Sequence, residues 1–214
     1  MLLVVAVVAA VVAVATYLTW IASRLDRLAV RTESLWAALD GQLSARAFGA
    51  HELAHQLDDV ELHAAARAAG DATGPDREVA ENRLSRALHT ALPTGIEEAA
   101  RRAPAVAVAA AGIPSGGTVA HLDGVEVATR LLPPRSPADP AFEGLPECAR
   151  AVAADLEEVL VRVALARHFY NDAVRDLLVL RGRRLPRILH LYGRAQAPSY
   201  FEFDSSVPEA RAAH

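Results

Sequence analysis

Lysine is absent from this chain: all 22 basic side chains are arginine, set against 26 acidic ones. The resulting net charge of −4 argues against non-specific binding to nucleic acid, and the missing lysine is read as the mark of a GC-rich genome. Cysteine is almost absent too. A single Cys148 excludes an internal disulfide and suits a reducing compartment, where it reads as an ordinary helix residue rather than a nucleophile. Aromatic residues are only 5%, which tells against a β-sandwich and favours helices packed closely on small side chains; alanine is plentiful enough to supply them. At 214 residues there is chain enough for one domain, or two small ones, with a real core.

The most specific absence lies at the start, where residues 2–21 contain no charge, no glycine and no proline. A helix of 20 such residues spans about 30 Å, the thickness of the hydrocarbon layer of a bilayer. Tyr17 and Trp20 stand at its end, where amphipathic rings favour the interface, and Arg24, Arg27 and Arg31 follow, so the helix is expected to stop there. "AVA" at residues 13–15 imitates a signal-peptidase site, but no basic region precedes the apolar run and the run is too long for a signal. The positive-inside rule then puts the N-terminus outside and the body in the cytoplasm of a single-pass plasma-membrane protein.

Beyond the anchor, residues 23–70 contain neither proline nor strand-like alternation and read as one helix stopping at Gly70. Its buried stripe should be Trp36, Leu39, Leu43, Ala47, Ala50, Ala54 and Leu57, spaced by threes and fours. A second helix fits residues 75–92, with Pro75 in its first turn and Asp76 and Glu78 beside the positive end of the helix dipole. The two would form a hairpin. Residues 103–146 turn to proline, glycine and alanine and look like a mobile insertion, within which Asp123-Gly124 between alternating apolar runs signals a small β-hairpin. A third helix carries Val152, Leu156, Val159, Val163, Ala166, Tyr170, Ala173, Leu177 and Leu180 in an unbroken coiled-coil-like seam, with Arg162, Arg167 and Arg175 facing outward. Tyr170 is expected in the core with a partner for its hydroxyl, and Asn171 is expected to bond locally. "RGRRLPR" at residues 181–187 reads first as a solvated helix end complementing the helix dipole; the alternative is attraction to anionic lipid head groups.

The fold class that follows is all-α: an N-terminal transmembrane helix, then an antiparallel bundle of long helices with a Pro/Gly-rich insertion. The boundaries are an anchor at 1–22, a helical hairpin at 23–102, the insertion at 103–146, a C-terminal helix and tail at 147–204, and a disordered terminus at 205–214.

Three stretches in particular, "RLDRL…LWAALDGQLSAR", "ALARHFYNDAVRD" and "RLPRILHLYG…SYFEFD", resemble the LemA proteins. The resemblance covers most of the chain outside 103–146. It rests on Arg167, Tyr170, Asn171 and Val174, on Pro186, and on Phe201-Glu202, which become the expected interaction residues. Leu160 and Val161 stand where that family often carries an acidic and amidic pair. The resemblance implies a membrane-anchored α-helical protein without an established catalytic residue.

A rival chemistry is written at residues 51–55, "HELAH". His51 and His55, one turn apart, could ligate one zinc ion, with Glu52 holding a water as general base of a peptidase. The helical stripe, however, puts His51 on its flank and Glu52 nearly opposite, facing water. No strand precedes the motif, position 58 is Asp where the longer zincin pattern has glycine, and only Glu78 or Glu81 offers a third ligand. "HLDG" at residues 121–124 is similar to the Asp-Gly element of intramembrane proteases, but Arg46, Asp58, Asp59 and Glu61 would be costly in lipid. No catalytic, cofactor or metal residue is therefore assigned. The expected partners are the bilayer, through residues 2–21, and another protein or a second copy of the chain.

Overall fold

The computed structural model describes residues 1–74, 76–111, 135–183 and 197–203. These residues form five α-helices and one 3-10 turn, with no strand among the described residues: α1 (Leu2–Leu57), α2 (Val60–Asp71), α3 (Asp76–Ala91), α4 (Pro93–Ala111), the turn at Pro140–Phe142, and α5 (Glu147–Arg181). The β-hairpin expected near Asp123-Gly124, Pro75, Pro186 and the terminus at 205–214 lie outside the described residues.

The 56 residues of α1 make a rod of roughly 84 Å. The expected stop after Ile21 does not occur, because nothing in residues 22–57 breaks a helix: proline is absent, and Gly41 and Gly49 each cost only about 1 kcal/mol. Its two halves differ in environment. The apolar stretch before Ile21 has no buried residue, whereas Ile21, Leu25, Leu35, Leu39, Leu43, Ala47, Ala50, Leu53 and Ala54 are buried. The expected stripe thus holds in its middle; Trp36 and Leu57 at its ends are half-buried.

The single helix expected to reach Gly70 is instead broken at Asp58. This residue adopts the left-handed conformation (φ 53°, ψ 35°), which aspartate tolerates better than most residues, and the Asp59 N–H closes back on the Ala54 carbonyl at 3.0 Å. Asp59 then caps α2, its carboxylate accepting the Leu62 N–H at 3.0 Å. The fold-back lets Leu62, Ala65, Ala66 and Ala69 of α2 bury against Ala47, Ala50, Leu53 and Ala54 of α1.

The helices α1 and α5 run in opposite senses along one another. Ile21 and Leu25 meet Leu177 and Leu180, Trp36 meets Tyr170, and Gly49 faces Leu156. A methyl added to Gly49 would lie 3.1 Å from a Leu156 methyl, so the close approach depends on the missing side chain. In α5 the seam is buried from Leu156 to Leu180 apart from Val159, but the buried face is wider than a seam: Ala153, Glu157, Val161, Leu165, Phe169 and Val174 are buried as well. The reason is that α4 covers α5 from a second side, with Ala99 and Ala103 in the same core. That burial also explains Leu160 and Val161, which pack into apolar surroundings.

Residues 103–146 are not wholly a mobile insertion. Residues 103–111 continue α4, with Pro104 inside the helix and Ala103 buried. At the other end Asp139 caps the 3-10 turn by accepting the Ala141 N–H at 3.0 Å, and Phe142 is completely buried.

Candidate functional site

Of the residues that carry the resemblance, Arg167, Tyr170 and Asn171 converge on the segment 199–203, which holds Phe201 and Glu202. A segment outside helix and sheet leaves its backbone N–H and C=O groups without the partners that regular structure would provide. Here α5 provides them from side chains. The Tyr170 hydroxyl donates to the Ser199 carbonyl at 2.9 Å. One residue on, the Asn171 amide donates to the Phe201 carbonyl at 3.2 Å and accepts the Phe201 N–H at 3.0 Å. A primary amide offers a donor and an acceptor side by side, so Asn171 stands in for one residue of a neighbouring strand. Arg167 donates to the Phe203 carbonyl at 2.8 Å, and the N–H of Glu202 goes to a Glu78 carboxylate oxygen at 3.2 Å.

The side chains of the segment alternate as an extended chain dictates: Phe201 and Phe203 are buried, and Glu202 between them is exposed. Trp36 lies 5.4 Å from the Phe201 ring and 5.3 Å from that of Tyr170, and Phe203 sits 5.7 Å from Phe201. These edge and tilted contacts are the favoured arrangements for aromatic pairs. The guanidinium groups of Arg46 and Arg167 lie 5.1 and 5.0 Å from the Phe203 ring. Val174 is buried in the core beneath the segment.

Two expectations are thereby corrected. Asn171 does not bond locally; its partner is 30 residues away. Arg167 does not simply face outward, because its head closes over the tail. Tyr170 is buried with its hydroxyl satisfied, as expected. Burial, with the nearby Glu78 charge, pushes its hydroxyl pKa up and keeps it a neutral donor.

Behind the tail lies a charge cluster that the periodic stripes did not identify. Arg46 is buried on α1 and forms an ion pair with the buried Glu81 of α3, while its second nitrogen donates to Ser85 at 2.8 Å. Arg77 adds 3.6 Å and 3.3 Å contacts to Glu81 and Asp40. Burial pushes the Glu81 carboxyl above its ordinary range and pulls the Arg46 guanidinium below its own, each opposed by the charge of the other. A second buried carboxylate, Glu157 of α5, is held by Arg102 at 3.0 Å and Arg135 at 3.0 Å. The signal for Arg46 and Glu81 was available: Arg46 falls within the Leu43–Ala50 stripe, and Glu81 keeps helical step with Arg77, Leu84 and Leu88.

The "HELAH" residues are arranged differently. His51 is half-buried with its ring 4.3 Å from His63 of α2, and His55 is exposed. Glu52 is half-buried rather than free in water and accepts a hydrogen bond from Gln56 at 3.0 Å. The two proposed third ligands are engaged elsewhere, Glu81 with Arg46 and Glu78 with the tail. No group of three or more His, Cys, Asp or Glu side chains placed to hold a metal occurs among the described residues. Cys148 is exposed in the first turn of α5.

No family model, curated protein or solved structure matches this chain. What stands is a chain whose regular structure is all helical among the described residues, with a long apolar N-terminal helix consistent with a single membrane anchor.

Proposed function

We propose that the chain is a membrane-anchored, non-enzymatic scaffold of the LemA kind: a single span, an antiparallel helical bundle, and a body that binds another protein or assembles with itself. The observation that carries this reading is the continuity of α1. Its first third is apolar and has no buried residue, and the same helix then becomes a wall of the core, so no flexible joint separates the anchor from the body. Such a rod fixes the body close to the bilayer: Trp36, which touches the tail, stands roughly 22 Å beyond Ile21 along the helix. The clamp on residues 199–203 supports a structural role for the family-like residues, since their polar groups are occupied by the chain itself. In this reading Arg24, Arg27 and Arg31 hold the N-terminus outside and the body in the cytoplasm.

Alkaline extraction of membranes tests the anchor, and protease added to intact cells tests the orientation. The protein should stay in the pellet, and a C-terminal epitope should survive. Digestion of that epitope from outside would reverse the orientation, and extraction into the supernatant would remove the anchor. Crosslinking in membranes followed by purification should yield a discrete partner or homo-oligomer, whereas stoichiometric zinc in the purified protein would replace the scaffold by a peptidase.

A further inference from the structure

We propose that the pocket between α1 and the C-terminal end of α5 binds the phosphodiester head group of an anionic phospholipid, an inference that rests on the membrane anchor proposed above. The pocket has a volume of about 180 Å³ and is lined by Arg24 and Leu28 of α1, by Asp176, Val179 and Leu180 of α5, and by Arg183 just past its end.

Its level in the molecule is set by packing. Ile21 and Leu25, at the end of the apolar stretch, are buried against Leu177 and Leu180, which pins the end of α5 to the end of the span. Arg24 follows Ile21 by three residues, roughly 4.5 Å along the helix axis, which is head-group depth for a span ending there. The Arg24 guanidinium lies 5.6 Å from the Trp20 ring, so an interfacial tryptophan holds the cation at that level.

The lining chemistry selects the ligand. Arg24 and Arg183 form no ion pair among the described residues, a condition shared by Arg27, Arg67 and Arg83, and what sets them apart is that they line one pocket together. Two guanidinium groups, one on α1 and one just past the end of α5, offer forked donors to a phosphate placed between them. Asp176 reduces the net charge of the lining from +2 to +1. That balance matches a singly charged phosphodiester, disfavours a doubly charged phosphomonoester, and leaves a carboxylate to accept hydroxyl donors of the head group. Leu28 and Val179, the latter 61% exposed, give the pocket an apolar side for the glycerol backbone and the start of the acyl chains.

The test uses the full chain, reconstituted into phosphatidylcholine vesicles with and without one-fifth phosphatidylglycerol, then extracted in mild detergent and weighed with its retained lipid by native mass spectrometry. Wild type should retain phosphatidylglycerol over phosphatidylcholine, and Arg24→Ala and Arg183→Ala should each lower retention about fivefold, with the double variant lower still. All three side chains changed are exposed, and Asp176→Asn should widen retention to phosphomonoester lipids; unchanged helical content by circular dichroism confirms folding. Millimolar glycerophosphoglycerol, the free phosphodiester of the same head group, should fail to displace the lipid. Equal retention by the double variant overturns the site, and displacement by glycerophosphoglycerol reassigns it to a free phosphodiester and overturns the lipid. A chain that incorporates normally but shows no lipid preference defeats this proposal alone, whereas one that never enters vesicles defeats the anchor.

Discussion

Two five-residue stretches of helix, 51–55 and 167–171, are treated very differently by the fold. In the first, His51 rests on another histidine, Glu52 bonds to the next turn of its own helix, and His55 faces solvent. In the second, Arg167, Tyr170 and Asn171 reach backbone groups 29 to 36 residues away. "HELAH" is the more distinctive string, yet its polar contacts are local or exposed. "RHFYN" looks ordinary and is engaged along almost its whole length. What separates them is the presence of a second chain segment across from the helix, because a polar side chain acquires a long-range role only where unsatisfied groups arrive opposite it.

That contrast can be broken at three places. The largest effect is expected behind the tail, where Glu81→Ala would strand the Arg46 charge at 2% exposure; removing one partner of such a buried pair costs about 3–5 kcal/mol. Thermal unfolding of the detergent-solubilised protein measures it, and the double change Arg46→Met with Glu81→Leu should recover most of the loss. A Glu81→Ala protein within 1 kcal/mol of wild type would mean the pair is not buried. Next comes Asn171→Ala, which leaves both the N–H and the C=O of Phe201 unpaired and should cost about 2 kcal/mol. It should also speed chymotryptic cleavage at Phe201, and an unchanged cleavage rate would remove the clamp. Tyr170→Phe deletes one hydrogen bond while keeping the ring, for about 1 kcal/mol; no change in stability would show the Ser199 contact to be dispensable.

The smallest effects sharpen the other side of the comparison. Glu52→Gln and His55→Ala should each shift stability by about 0.5 kcal/mol or less and should complement a deletion strain as well as wild type does. If folded, membrane-inserted Glu52→Gln failed to complement, residues 51–55 would have to be taken as a catalytic site.

The helical class and much of the core were legible because they are written in short-range periodicity. Leu39, Leu43, Ala47, Ala50 and Ala54 recur at three and four, and the structure buries all of them. The same rule underestimated α5, because a helix covered from two sides buries residues such as Val161 and Leu165 that lie off any single stripe. It also ran α1 through Asp58. Local propensity differences there are below about 1 kcal/mol, less than the burial gained when α2 folds back on α1. The form of Phe201-Glu202-Phe203 was not read from the sequence, and nothing nearby in sequence named Asn171 as its partner.

The sequence by itself determined a charge-free run long enough to cross a bilayer, helices with apolar faces, and a chain too poor in cysteine to be stapled. Each of these depends on residues within a few turns of one another, where helical geometry fixes which side chains are neighbours. Only the tertiary structure decided that Arg46 would find Glu81, that Glu157 would be enclosed by Arg102 and Arg135, and that the tail would return to Asn171. Those pairings depend on where distant segments come to lie, and a buried charge or an unpaired backbone group is tolerated only where such a segment arrives to satisfy it.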